Sequence, residues 1–143
     1  MQLRDVMTRR VEGVAPGMTL QEAAQRMRSM DIGVLPVCQN EQLIGMITDR
    51  DIAVRSVADG QDPTAAHVSD AMSQDLVFCY EDEDVERAAR LMEQRQIRRL
   101  PVLDRNRRLA GIVSLGDLAT RQRDDQLSAG VLEQVSQPNQ PHA

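Results

Sequence analysis

Aromatic side chains are almost missing from this chain: Phe78 and Tyr80 are the only two, and there is no tryptophan. A core must therefore be built from Leu, Ile, Val, Ala and the eight methionines. Lysine is absent, so all 17 strongly basic side chains are arginine. Arginine suits bidentate contacts to phosphate, but a chain-wide compositional bias explains the same count, so arginine content alone decides nothing. Cys38 and Cys79 are the only cysteines, too few and too far apart for a disulfide-stapled secreted domain. A buried free thiol is the plainer reading of each. His67 and His142 stand at no ligand spacing to Cys or His, which argues against structural zinc. No apolar run reaches the ~18 residues that span a bilayer. The charged start M-Q-L-R-D-V-M-T-R-R has no apolar signal stretch, so the expected location is cytoplasmic. The net charge of −5 gives no general support to binding DNA or an anionic membrane. Without a Walker-type loop or a nucleophile–base pair, enzymatic activity and an obligatory cofactor are not expected.

What is present is a repeat. A shift of 65 places Asp5 on Asp70, Met7 on Met72, Ala23-Ala24 on Ala88-Ala89, Met27 on Met92, Ile32 on Ile97 and Leu35-Pro36-Val37 on Leu100-Pro101-Val102. After one inserted residue the shift becomes 66, and Leu43, Gly45, Asp51 and Ala53 fall on Leu109, Gly111, Asp117 and Ala119. A surface turn tolerates such an insertion. Each copy begins with a short apolar stretch, Val11 to Val14 or Leu76 to Tyr80. A helix follows: Thr19-Leu20-Gln21-Glu22 has capping-box spacing, and Leu20, Ala23, Ala24 and Met27 share one face. Asp84 is placed to cap the second copy, with Val85, Ala88, Ala89 and Met92 as its stripe. Met27, Met30 and Met92 are expected in the core. Two strands come next, Val34 to Cys38 and Leu43 to Thr48 around a turn at Asn40, matched by Leu100 to Leu103 and Leu109 to Ser114 around Asn106. A second helix starts near Asp49 and near Leu115.

The expected fold class is therefore α/β (α+β), two β-α-β-β-α repeats at 1–62 and 63–125, with a C-terminal extension at 126–143 whose end is expected to be disordered. Asp59-Gly60-Gln61-Asp62-Pro63 is the linker. A unit of about 60 residues buries too little surface to be stable alone. The run Glu81-Asp82-Glu83-Asp84 reads as a solvated loop entering a helix N-terminus, and Arg105, Arg107 and Arg108 as a solvated turn.

The chemistry lies in Gly45-Met46-Ile47-Thr48-Asp49-Arg50-Asp51 and Gly111-Ile112-Val113-Ser114-Leu115-Gly116-Asp117. Both read Gly, two apolar residues, Thr or Ser, two variable residues, Asp, where a strand gives way to a helix. A helix start offers unpaired N–H groups to an anion. A hydroxyl there and a carboxylate one turn later can engage a phosphate and the vicinal diol of a ribose. The same spacing is that of a capping box, in which the acid reaches back to its own main chain; on spacing alone that is the more economical reading.

Three paired segments, Asp-Val-Met-Thr with Asp-Ala-Met-Ser, the two Leu-Pro-Val strands and the two Gly-h-h-Thr/Ser-x-x-Asp corners, resemble the CBS domain family over residues 3–122. The tandem pair resembles a Bateman module, of the stand-alone bacterial type. That resemblance implies repeats packed sheet to sheet about a pseudo-two-fold axis, a homodimer, and a regulatory role with AMP, ADP or ATP as ligand. S-adenosylmethionine, NAD-type ligands or a ligand-free docking role are the alternatives. It implies that Asp51 and Asp117 take ribose hydroxyls, and that Thr48 and Ser114 take phosphate or its linking oxygen. Val11, Glu12, Ile32 and Gly33 would complete the cleft of Ser114 and Asp117. Leu76, Val77, Ile97 and Arg98 would complete that of Thr48 and Asp51, with Met46 and Ile112 lining the motif strands. Arg98 and Arg99 resemble the basic pair that touches phosphates in the gamma subunit of AMP-activated protein kinase. The partners implied are an adenosine-containing small molecule and an effector protein.

Overall fold

A computed structural model describes residues 1–9 and 11–120; the C-terminal extension at 126–143 lies outside them. Two sheets form, one of two strands and one of three. The first repeat supplies α1 (Leu20–Met30), β1 (Val34–Gln39), β2 (Gln42–Thr48) and α2 (Asp49–Asp51), which runs straight into a π-helix at Ile52–Val57. After α3 (Val68–Ala71), the second repeat supplies β3 (Cys79–Tyr80), α4 (Val85–Arg95), β4 (Arg99–Leu103) and β5 (Leu109–Ser114). Residues 115–120 are helical. No helix among the described residues is long and apolar enough to cross a membrane.

The local signals account for the elements. Thr19 caps α1, accepting from the Glu22 N–H at 3.2 Å while its hydroxyl donates to Glu22 Oε1 at 3.0 Å. Asp84 caps α4 through the Glu86 N–H at 3.0 Å. Both helices stop on a left-handed residue, Asp31 and Gln96. Between β1 and β2, Asn40 and Glu41 both have positive φ, 53° and 67°, as a two-residue hairpin turn requires if it is to follow the strand twist. Gly60, at φ 74°, ends the segment after the π-helix.

The chain divides into two compact units that do not follow the repeats. One comprises residues 11–77 and 106–109; the other comprises 1–9, 78–105 and the described chain from 110 on. The segment preceding each repeat is thus built into the unit of the other repeat. Residues 1–9 form an arm on the second-repeat unit, where a short 3₁₀ turn at Leu3–Asp5 leads to a two-bond antiparallel bridge between Thr8 and Ile112, at 2.8 and 3.0 Å. Residues 68–73 form the matching arm on the first-repeat unit, where Ser73 bridges Met46 at 2.8 and 2.9 Å. Each arm also hydrogen-bonds the loop before the repeat helix, Leu3 N–H to Glu83 O and Val68 N–H to Met18 O. The first-repeat core joins Val14, Leu20, Ala23, Met27, Leu35, Val37 and Ile47 to Val68 and Ala71 of the arm.

Several expectations change. Val11 to Val14 forms no strand; Val14 alone makes a parallel bridge, to Val37. In the second repeat only Cys79 and Tyr80 pair, with Val102 and Leu103. Met30 is 48% exposed rather than core: it lies in the last turn of α1, past the stripe that Met27 ends. Asp82 and Arg105 are not a plain solvated loop and turn, since Arg105 donates to both carboxylate oxygens of Asp82, at 2.9 and 2.8 Å, and lies over the Tyr80 ring. This pairing holds the Asp82 carboxyl below its usual range.

Ser56, fully buried in the π-helix, has a hydroxyl without a hydrogen-bond partner among the described residues. Leaving a polar group unpaired inside costs about 1–3 kcal/mol, so Ser56→Ala should raise stability by about 1 kcal/mol. A urea midpoint that falls instead would show that the hydroxyl is satisfied.

Candidate functional site

Each motif strand ends at a corner whose bonds can be followed one by one. In the first repeat, the Thr48 N–H donates to Asp51 Oδ2 at 2.9 Å, and Thr48 Oγ1 accepts from the Asp51 N–H at 3.0 Å. In the second, the Ser114 N–H donates to Asp117 Oδ2 at 2.9 Å, and Ser114 Oγ accepts from the Asp117 N–H at 3.0 Å. Both are complete capping boxes, so the capping reading of the spacing is realised. It engages one carboxylate oxygen, Oδ2, and only the acceptor side of the hydroxyl. The cap leaves Oδ1 of each Asp and the O–H of Thr48 and of Ser114 uncommitted, with Arg55 Nε standing 3.9 Å from Oδ1 of Asp51.

The helix starts themselves offer less than expected. The Asp49 N–H donates to Gly33 O at 2.9 Å, the Arg50 N–H to Asp49 Oδ1 at 2.8 Å, and the Asp51 N–H to Thr48 Oγ1. The first three amides at the Thr48 corner are thereby used, which corrects the expectation of open N–H groups for an anion there. At the Ser114 corner, Leu115 N–H donates to Arg98 O at 2.9 Å and Asp117 N–H is capped.

These bonds bring Gly33 to the Thr48 corner and Arg98 to the Ser114 corner, each within its own repeat. A Cβ on Gly33 would stand 2.8 Å from Asp49 Oδ2, so the Asp49 carboxylate fills the place next to Gly33. Residue 98 carries an arginine instead. The Arg98 and Arg99 side chains are exposed and make no ion pair among the described residues. Ile32 and Ile97 are half-buried, and their N–H groups close the preceding helices on Met27 O and Met92 O. Met46 and Ile112 carry the arm bridges, Ile112 with its side chain buried. Val11, Leu76 and Val77 are half-buried, while Glu12 is exposed and lies 3.9 Å from Arg26.

Sequence reasoning passed over the residues that hold the motif glycines in place. A Cβ on Gly45 would come 2.7 Å from Ser73 O, and one on Gly111 2.5 Å from Thr8 O. The arms pass directly over the strands, and only glycine leaves them room. The paired Met-Thr and Met-Ser of the openings were visible signals; their partner strands were not. Asp49 and Arg55, which lies 3.9 Å from Asp51 Oδ1, were also passed over.

Cys79 is buried, and burial with the nearby Glu83 carboxylate pushes its thiol up to about 11. Burial raises Cys38 as well. Both are free thiols. Among the described residues no three His, Cys, Asp or Glu side chains gather as a metal-holding group.

The CBS domain model matches the chain twice, at residues 3–57 and 68–124. CBS domain-containing protein YhcV of Bacillus subtilis (strain 168) is 44% identical over 137 residues, 96% of each chain. Among solved structures, hypoxic response protein I with two coordinated zinc ions is 37% identical over 84% of this chain and 98% of that one, with a TM-score of 0.78. CBSX2 in complex with AMP is 25% identical over 87% of this chain and 98% of that one, with a TM-score of 0.77. The CBS domain pair of MJ0100, in complex with 5′-methylthioadenosine and S-adenosyl-L-methionine, is 26% identical over 87% of this chain and 98% of that one, with a TM-score of 0.74. With both copies matched and most of the described chain covered by them, this protein belongs to the CBS domain family, as a tandem pair.

Proposed function

We propose that this chain is a non-catalytic regulatory module that binds an adenine nucleotide, AMP, ADP or ATP, at its two Thr/Ser-x-x-Asp corners and signals energy state to a partner protein. The observation that carries the reading is the division of labour within each carboxylate: the cap takes Oδ2 and leaves Oδ1 uncapped, with Arg55 Nε at 3.9 Å, beyond hydrogen-bond length, from that of Asp51. A ribose hydroxyl donates to Oδ1 of Asp51 or Asp117. The O–H of Thr48 or Ser114 donates to a phosphate oxygen or its linking oxygen. Arg98 and Arg99, exposed and without ion pairs among the described residues, supply charge for the phosphate. Similarity to pairs solved with AMP and with S-adenosyl-L-methionine supports an adenosine-containing ligand. Binding to the folded state alone would raise stability by mass action.

Asparagine separates the two duties of the aspartates. Asp51→Asn and Asp117→Asn keep one carbonyl oxygen for the cap, but replace the second acceptor with an NH₂ donor and remove the charge. Each should leave the fold near wild type and weaken nucleotide binding roughly 10–100-fold, the worth of a hydrogen bond to a charged group. Calorimetric titration with AMP, ADP, ATP and S-adenosylmethionine reads this directly. No heat from the three nucleotides, or equal affinity in the double variant, rejects the proposal.

The complete capping boxes favour a second reading, a ligand-free docking module in which both aspartates only close helices. It requires Asp→Glu at both positions to leave every property intact, since glutamate also closes a capping box.

A further inference from the structure

Arg55 stands one turn beyond Asp51, in the π-helical continuation of α2, and lies between two acceptors. Its Nε is 3.9 Å from Asp51 Oδ1, the oxygen that the cap leaves open. Its Nη1 donates to the Met72 carbonyl at 3.4 Å. Met72 adjoins Ser73, whose N–H and C=O make the arm bridge to Met46. One guanidinium therefore joins the carboxylate to the segment laid across β2.

Both contacts are long beside the 2.7–2.9 Å or so of a well-made charge-assisted hydrogen bond. The guanidinium is shared, and a change at one acceptor shifts its balance toward the other. We propose that Arg55 is a positioning residue that couples the occupancy of Asp51 to the 68–73 arm. The coupling to a ligand rests on Asp51 being the ribose-binding carboxylate. A ribose hydroxyl donating to Oδ1 draws down its negative charge and weakens its hold on Nε. The guanidinium then settles on the Met72 carbonyl and tightens the arm. By reciprocity, tightening the arm strengthens ligand binding by the same factor. The pair is largely exposed on its arginine side, 54% against 18% for Asp51. Such pairs add little to global stability, so Arg55→Met should unfold near the wild-type midpoint.

Amide hydrogen exchange at Ser73 is the readout, because that N–H is bonded to Met46 O at 2.8 Å. In ligand-free protein, Asp51→Asn should slow Ser73 exchange about fivefold, within the usual range of coupling, and should have no effect in an Arg55→Met background. Arg55→Lys, a point donor that serves one acceptor at a time, should behave as Arg55→Met. Saturating AMP should slow Ser73 in wild type and still bind Arg55→Met without slowing it. A Ser73 response to Asp51→Asn that is equal with and without Arg55 overturns the relay. If AMP leaves Ser73 unchanged in a protein that passes the Asp51–Arg55 comparison, the relay stands and the ribose reading fails.

Discussion

Replacing Gly111 with alanine is expected to cost the fold about 3 kcal/mol, and Gly45→Ala nearly as much. The added Cβ would meet a main-chain oxygen, Thr8 O at 2.5 Å or Ser73 O at 2.7 Å, with the Met7 or Met72 sulfur close behind. A methionine tip can swing away, but the carbonyl cannot move without breaking the two-bond bridge it belongs to. Overpacking costs roughly 1–3 kcal/mol, and each lost backbone bond adds about 1 kcal/mol. The small entropic gain of Gly→Ala, about 0.4–1 kcal/mol, offsets only part of this. Two other glycines provide controls. A Cβ on Gly33 meets the Asp49 carboxylate, the far end of a side chain that can turn, and one on Gly17 meets nothing within 4 Å; both alanine variants should stay within about 1 kcal/mol of wild type. Urea denaturation of the four variants tests the order. If Gly111→Ala behaves like Gly17→Ala, the arm does not press on β5. The strand it would distort leads directly to Ser114, so the same variant should also weaken nucleotide binding.

Why the motif needs its glycine could not be read from the chain alone. The repeat, the helices and the hairpin were legible because their causes are local. Thr19 and Asp84 cap, Ala23 and Met27 recur at helical spacing, and Asn40 with Glu41 make a turn by adopting positive φ. The carboxylates at 51 and 117 were also legible, since a spacing of three from a hydroxyl has few physical uses. Spacing could not show that one oxygen caps while the other stays open; that depends on which way a carboxylate turns. The first strand of each repeat was over-read in length: of Val11 to Val14 only Val14 finds a partner, and of Leu76 to Tyr80 only Cys79 and Tyr80. The exchange of arms was illegible for a different reason. Leu3 and Val68 are the same position in the repeat, and an apolar residue looks the same whichever unit receives it. The bridges of Thr8 to Ile112 and Ser73 to Met46 join residues far apart in sequence, and no periodicity encodes them.

That exchange makes the boundary between the repeats a poor place to cut. A fragment of residues 1–62 should hold less structure, and melt at lower urea, than residues 11–77, of nearly the same length. The shorter-reaching fragment keeps an arm, residues 1–9, whose partner strand it lacks. It loses Val68 and Ala71, both fully buried in the first-repeat core. It also loses the bridge at Met46, the bond from Leu20 N–H to Ala66 O that anchors the start of α1, and those from the Val68 and Ser69 N–H groups to Met18 O and Pro16 O. Burying a valine is worth roughly 1.5–3 kcal/mol and each hydrogen bond about 1 kcal/mol. A unit of about 60 residues has no such margin, since whole domains are stable by only about 5–15 kcal/mol. Residues 11–77 keep all of these contacts and give up only the short 106–109 contribution to that unit. Far-UV circular dichroism and urea melts of the two fragments decide between the boundaries. Equal folding of 1–62 and 11–77 would mean that the arm is ornamental, and the Arg55 relay, which acts on that arm, would lose the element it needs.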